Sequence, residues 1–158
     1  NIGNFYYIDD KYFEIFPDPY LMKNKEMVNG VSHDRPCYYA FKSDTNEIFW
    51  LIPISSRVEK YREIYNNKIM KYGRCDTIVF GEVLGHEKAF LIQNMCPVSE
   101  KYISHKYERS GNPVSISNVT KSELENKGKK VLALQRKGIK LVFPDIFFIE
   151  KELLSENN

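Results

Sequence analysis

The sequence predicts an α+β fold built on a twisted antiparallel sheet. Two observations carry that reading. Short apolar runs of buried-strand type are separated by turn signals at hairpin spacing, and these strands outnumber and precede the longest helices.

Phe5-Tyr6-Tyr7-Ile8 reads as the first strand, followed by a short helical turn over residues 9–16 that Pro17 and Pro19 stop. Residues 20–35 are expected to be loop. Cys37 to Lys42 is a second strand, and Ser43-Asp44-Thr45-Asn46 is a turn signal leading into the strand 47–54, which gives a hairpin. Val58, Tyr61, Tyr65 and Tyr72 recur at helical spacing, and Gly73 can take the left-handed cap of that helix. Residues 76–84 and 89–93 form a second expected hairpin around Gly85-His86-Glu87-Lys88. Beyond it, 97–107 is expected to be helical, 113–116 extended, 118–137 a helix ended by Gly138, and 141–143 extended, with Asp145 capping a last helix through Leu154. No repeat or linker interrupts the chain, so residues 1–158 are expected to form a single domain.

The 158 residues, 42% hydrophobic and 14% aromatic, suffice for one core. No apolar run approaches the roughly 20 residues that span a bilayer, and the N-terminal stretch lacks the pattern of a signal peptide, so a cytoplasmic location is expected. Opening on Asn1, the sequence reads as a trimmed or processed form. Cys37, Cys75 and Cys96 are odd in number and widely spaced, which excludes a disulfide framework or a Cys-x-x-Cys metal site and fits a reducing compartment.

The most informative segment is Ile48-Phe49-Trp50-Leu51-Ile52-Pro53-Ile54-Ser55-Ser56-Arg57, where an apolar strand stops at two hydroxyls and a basic helix begins. The first turn of a helix leaves backbone N–H groups unpaired and carries partial positive charge, so anions are drawn to that point. Arg57 and Lys60 add full charges beside it. Ser56-Arg57-Val58-Glu59 also fits a capping box, in which Ser56 accepts from the Glu59 N–H. The two roles can coexist, with Ser56 capping and Ser55 facing a ligand.

A net charge of +2 does not by itself announce nucleic-acid binding, but the cations are clustered. They concentrate from Arg57 to Lys71, from Lys101 to Arg109, and over 121–140, where Lys121, Lys127, Lys129, Lys130, Arg136, Lys137 and Lys140 face only Glu123 and Glu125. Solvated helix faces explain any one cluster. Interleaved Tyr61, Tyr65, Tyr72, Tyr102 and Tyr107 point further, because bases stack on aromatic rings while cations hold phosphates.

No metal or cofactor is expected: His33, His86 and His105 lack metal-ligand spacing, no acidic cluster resembles a two-metal site, and Gly81, Gly85 and Gly111 are isolated. A Ser-His-Asp hydrolase using Ser55 and His33 lacks a Gly-x-Ser-x-Gly elbow. The available His, Ser, Tyr, Lys and Arg suit metal-independent RNA cleavage, in which the substrate's 2′-hydroxyl attacks the adjacent phosphorus and the protein supplies base, acid and cation. His33 is the best titrating candidate, since an ordinary imidazole changes charge near pH 6.5; an exposed loop histidine without a role is the simpler alternative. Arg35 would pair with Asp34, and Tyr38 and Tyr39 must point to opposite faces of their strand, one to the core. Gln93 and Asn94 either read a base edge or close a turn.

Together these segments resemble the toxins of type III toxin–antitoxin systems, the ToxN and AbiQ group, and within it most the CptIN-type branch. The resemblance rests on His33-Asp34-Arg35-Pro36 before a strand, Leu51-Ile52-Pro53-Ile54-Ser55-Ser56 before a helix, Leu91-Ile92-Gln93-Asn94 running into Pro97, and Val131 through Pro144, and it covers about residues 3–153. His33 falls where the archetype has tyrosine, Ser55 where it has threonine, and Ser56 where it has serine. The archetype's adjacent lysine has no direct counterpart; Arg57 is the nearest cation and Lys60 lies one turn on.

The resemblance implies a compact, strongly twisted antiparallel sheet or barrel core similar to the Kid and MazF toxins, with peripheral helices. It also implies a sequence-preferring bacterial endoribonuclease that cleaves without metal, leaves 2′,3′-cyclic phosphate and 5′-hydroxyl ends, and serves in growth arrest and phage defence. Such a toxin is inhibited by a repeat pseudoknot RNA, processes that antitoxin, and joins it in a closed protein–RNA oligomer. On this reading Ser55 and Ser56 bind the scissile phosphate, Arg57 or Lys60 stabilises charge, and His33 moves a proton. Arg35, Tyr38, Tyr39, Lys42 and Gln93 would contact RNA, and Lys121, Lys127, Lys129, Lys130, Arg136 and Lys137 would grip the antitoxin. A non-catalytic RNA-binding module and a barrel-type toxin acting on a protein target are the alternatives.

Overall fold

The computed structural model describes residues 2–156. Its strands are β1 (Phe5–Ile8), β2 (Lys25–Val28), β3 (Val31–Asp34), β4 (Cys37–Lys42), β5 (Phe49–Ser55), β6 (Ile78–Val83), β7 (His86–Leu91), β8 (Cys96–Val98), β9 (Ile103–Lys106), β10 (Glu108–Arg109) and β11 (Asn112–Pro113). The α-helices are α1 (Asp10–Ile15), α2 (Val58–Tyr72), α3 (Asn118–Arg136) and α4 (Ile146–Glu156). Seven strands form one antiparallel sheet in the order β6-β7-β5-β4-β1-β9, with β8 also paired to β5. The fold is α+β, as its strand and helix order predicts.

β5 is the centre of the molecule, and all seven of its residues are buried. One edge pairs with β4; the other pairs with β8 from Phe49 to Leu51 and then with β7 at Ile54 and Ser55. Pro53 lies in the gap between those two ladders, where its missing N–H costs no hydrogen bond on that edge. Trp50, Leu51 and Ile52 are almost wholly buried with Phe5, Tyr38 and Phe90, whose rings meet at centroid distances of 5.3 Å for Phe5–Tyr38 and 5.9 Å for Tyr38–Phe90. α3 crosses this sheet closely at Gly128, where an added Cβ would lie 2.9 Å from Phe41 Cε1. α2 covers the β6–β7 hairpin through a smaller cluster of Tyr61, Cys75, Ile78, Ala89 and Leu91. No described helix is long and apolar enough to cross a membrane.

Three helix boundaries follow the sequence chemistry. Asp9 caps α1 by accepting from the Lys11 N–H at 2.9 Å, Gly73 ends α2 in the left-handed region at φ 75°, and Asp145 accepts from the Phe148 N–H at 3.4 Å at the start of α4. The capping box at Ser56 is not formed: Arg57 is the N-cap of α2 and makes no side-chain capping bond. The Ser56 hydroxyl is turned instead toward Lys88, from which it accepts at 2.8 Å.

Two segments differ from expectation. Residues 20–35 are not loop but carry the β2–β3 hairpin, closed by Asn29 and Gly30 at φ 52° and 77°. Positive φ at both positions is the primed turn that Asn-Gly favours, a signal masked here because the hairpin faces solvent and shows little apolar alternation. Residues 97–107 are not a helix. Only Glu100–Tyr102 makes a helical turn, because β8 completes one edge of β5 and β9 one edge of β1. Residues 141–143 join no strand ladder, and Phe143 lies in a bend: the Gln135 Oε1 accepts from the N–H groups of Leu141 and Val142, and the Phe143 N–H donates to Gln93 O.

Candidate active site

The strand-to-helix junction at Ser55-Ser56 is approached by two hairpins. β2–β3 reaches it from one side and β6–β7 from the other, and both bring charge.

Glu26, on β2, lays its carboxylate on the junction. It accepts from the Ser55 hydroxyl at 3.1 Å, from the Ser56 N–H at 3.3 Å and 3.4 Å, and from Arg35 Nη1 at 3.0 Å. Arg35 is also fixed by donating from Nε to Lys23 O and from Nη1 to Ile54 O, each at 2.8 Å. Burial pushes the Glu26 carboxyl up, but the Arg35 charge and the hydrogen bonds from Ser56 and Ser55 outweigh it and hold the pKa below the ordinary carboxylate value. The anion at the Ser55-Ser56 junction is thus the protein's own carboxylate, and it is held by the Ser55 hydroxyl, the Ser56 N–H and Arg35 rather than by the first turn of α2.

Lys88 arrives from the opposite hairpin. In β7, His86 and Lys88 are two residues apart and so share a face, while Glu87 between them turns away to Arg62 at 2.8 Å. With its oxygen accepting from the Lys88 ammonium, the Ser56 hydroxyl has its own proton free to point elsewhere.

These groups line one cavity of about 420 Å³, together with Tyr7, Glu26, His33, Arg35, Tyr107 and Arg109. His33 enters because it stands opposite Glu26 in the β2–β3 register, which puts both side chains on one face of the hairpin. Two imidazoles, two cations besides Arg35, and a hydroxyl anchored by an ammonium thus surround a single space. The Tyr7 phenol is pushed up to about 12, chiefly by burial and then by Tyr107 and Asp34 against the pull of Arg109, so at neutral pH it is a neutral hydroxyl and not a base. Among the described residues no group of three or more His, Cys, Asp or Glu is arranged to hold a metal ion.

The residues picked from the sequence separate into three groups. His33, Ser56 and Arg35 reach the cavity, although Arg35 is consumed by its buried pair with Glu26 rather than by Asp34, which pairs with Lys25 at 2.8 Å. Ser55, Arg57 and Lys60 line a different cavity of about 440 Å³ that shares Glu26 and Arg35 with the first. Ser55 is 2% exposed, and its hydroxyl is occupied by Glu26 and by the Arg57 N–H at 3.1 Å, so it holds the junction rather than facing the first cavity.

The third group lies elsewhere. Tyr38 is wholly buried in the core and Gln93 is 5% exposed, so neither offers a face to RNA. Tyr39, the opposite-facing partner, stacks on Phe49 at 4.9 Å and lines another cavity with Lys42, itself paired with Glu47. On α3, Lys127, Lys129, Lys130 and Arg136 are paired with Glu123, Glu125, Asp76 and Glu150. Lys121 and Lys137 lie on the same helix and at its C-cap. Tyr61 and Tyr102 are buried and Tyr65 packs edge-on to Phe80 at 5.5 Å, so of the interleaved tyrosines only Tyr107 enters the first cavity.

Sequence reasoning missed Glu26, Lys88, His86 and Arg109. Glu26 and Lys88 lie 30 and 32 positions from Ser56, beyond any local spacing rule. The Gly85 turn with His86 and Lys88 just beyond it was the available signal, since a tight turn there places both on one strand face.

No protein-family model matches the sequence, and no curated protein matches it. Solved structures do match. One is AbiQ, a lactococcal anti-phage endoribonuclease of the type III toxin–antitoxin system, with a TM-score of 0.72, 13% identity and 100% of both chains covered. Another comes from work on bacterial type III toxin–antitoxin systems and selective toxin inhibition by a non-coding RNA pseudoknot, with a TM-score of 0.70, 16% identity, and 100% of this chain and 99% of that one covered. At these identities the likeness is one of fold, and it extends over the whole chain. The fold is that of the toxins the sequence motifs resemble.

Proposed function

We propose that this chain is an endoribonuclease toxin of a type III toxin–antitoxin system that cleaves single-stranded RNA without a metal ion, with its active site in the cavity of Ser56, Lys88, His33 and His86. The observation that carries the reading is the convergence of those four residues, from three separate segments, at the N-terminal end of α2 in a chain with this fold.

In the proposed reaction the 2′-hydroxyl oxygen bonds to the adjacent phosphorus and the bond from phosphorus to the 5′ oxygen breaks, leaving a 2′,3′-cyclic phosphate and a 5′-hydroxyl. One proton leaves the 2′-hydroxyl and one is delivered to the departing 5′ oxygen. His33 and His86 are the groups in the cavity whose imidazole nitrogens can take one proton and give the other. Lys88, and the Ser56 proton that Lys88 leaves free, face the non-bridging oxygens, where charge grows in the transition state. Ser55, Glu26 and Arg35 position this machinery from behind. A pseudoknot RNA antitoxin would block the cavity, be processed by it and form a closed assembly with the protein in the cytoplasm.

The test is incubation of the purified protein with single-stranded RNA in EDTA, followed by mapping of the new ends. Cyclic phosphates are expected, and Ser56→Ala or Lys88→Ala should slow their appearance on the order of 10²-fold. RNA that is bound but left intact would support the non-catalytic module instead, and ends that need a divalent cation would overturn the mechanism.

A further inference from the structure

The cavity holds more than a phosphate requires. Along one wall, Tyr7 of β1 stands opposite His105 of β9 in the antiparallel register. The two rings lie 4.6 Å apart at 31°, close to a stack. Tyr107 is two residues on from His105 and is held beside β1 by its N–H donating to Phe5 O at 2.8 Å. Its ring meets Tyr7 edge-to-face at 5.6 Å, and Phe5 edge-to-face at 6.2 Å from within the core. Tyr7 and Tyr107 line the cavity with Ser56 and Lys88, whereas His105 is not among the lining residues and so backs Tyr7 from outside. Arg109, next along the same segment, lines the cavity as well.

From this geometry we infer that Tyr7 and Tyr107 form a nucleobase-stacking subsite beside the phosphate site, and that it sets which nucleotide is accepted next to the cut. The inference rests on the proposed ribonuclease reading and adds to it the determinant of sequence preference. Three features favour a base over mere packing. Both tyrosines are only half-buried and keep ring surface on the cavity; both are braced by neighbouring rings, so little side-chain freedom is lost on stacking; and Arg109 supplies a cation for the phosphate on the far side of the stacked nucleotide. Stacking is tolerant of base identity but stronger for larger rings, so purines should be preferred there.

The inference is tested by binding and by cleavage. A short single-stranded 2′-deoxy oligonucleotide cannot be cut by 2′-hydroxyl attack, so its affinity reports on binding without turnover, and the difference between wild type and a ring variant isolates the subsite. Tyr7→Ala and Tyr107→Ala should each weaken that binding on the order of ten-fold, while Tyr7→Phe, which keeps the ring, should not. In cleavage of a randomised RNA pool, Tyr7→Ala should raise KM more than it lowers kcat and should flatten the nucleotide preference at one position beside the cut. A folded Tyr7→Ala and a folded Tyr107→Ala that both retain wild-type affinity and preference would overturn the inference while leaving the ribonuclease reading intact. Binding that depends on Tyr7 in a protein that cuts no RNA would sustain the subsite and overturn the ribonuclease.

Discussion

Replacing Glu26 by glutamine should destabilise the protein substantially even though the two side chains have nearly the same shape. The Glu26 and Arg35 side chains are 11% and 9% exposed, and the carboxylate faces only donors: a guanidinium, a hydroxyl and a backbone N–H. Glutamine removes the charge opposite Arg35 and points an amide N–H₂ group into that ring of donors. Stranding one partner of a buried pair costs about 3–5 kcal/mol, and the lower end applies here because cavities open on either side of the junction. For a chain of this size, about 3 kcal/mol lowers Tm by roughly 6–12 °C. The assay is thermal unfolding from pH 3 to pH 7. The carboxyl is held below its ordinary value in the folded state, so its contribution is fully present above the unfolded-state value near 4.5 and is lost as pH falls through the folded one. The gap between wild type and Glu26→Gln should therefore be full at pH 7 and close towards pH 3. A paired Glu26→Met, Arg35→Met variant should recover much of the loss, since no charge is left stranded. A Glu26→Gln protein that unfolds within about a degree of wild type at pH 7 would refute this account of the junction.

Gly128→Ala places a methyl 2.9 Å from Phe41 Cε1 and 3.8 Å from Ile52 Cδ1; overpacking of about 1–3 kcal/mol should appear as a lower urea midpoint with an unchanged slope. Arg136→Ala removes two bonds of 3.1 Å and 2.8 Å to Glu150, which is 9% exposed, and should loosen α4 from α3, read as faster amide exchange in α4 with the sheet unaffected. Burial lifts the Cys37 thiol far above its ordinary value and pushes Cys96 up to about 12 despite the hydrogen bond with Tyr12, so neither should react with iodoacetamide at pH 8 until the protein unfolds. Alkylation of either residue at the rate of a free thiol in native buffer would contradict that burial.

The sheet was legible in the sequence because its strands are short apolar runs with turn chemistry at their ends. Phe5–Ile8, Cys37–Lys42 and the run into Ser55 are near-continuous apolar and aromatic runs of buried-strand type. The β2–β3 hairpin escaped because Met27 and Val31 are exposed at 58% and 56%, so burial leaves no imprint on its sequence. Residues 97–107 misled because Pro97, a common helix opener, serves in a short strand whose partner Trp50 is far away in sequence. The site was half legible for a related reason. Ser56 and His33 are marked by local chemistry, a hydroxyl at a helix start and an imidazole before a proline. Lys88 and Glu26 carry no local mark, and only the pairing of β7 and the folding-over of β2 bring them to Ser56. The basic stretch from 121 to 137 reads as a nucleic-acid grip until its partners are known, and four of its cations are then found neutralised within the fold.

The wall of the cavity begins at Tyr7 and is not closed until Tyr107 and Arg109 have joined it, with Glu26, His33, Ser56 and Lys88 in between. During synthesis this ordering acts as a delay. A chain still on the ribosome can fold its first hairpins, but until Lys88 has emerged Ser56 lacks its ammonium, and until residue 109 has emerged one side of the cavity does not exist. A truncated product ending anywhere before that point is an unfinished sheet whose cavity wall lacks Tyr107 and Arg109, so the lining of this cavity is complete only in a chain made past its aromatic wall.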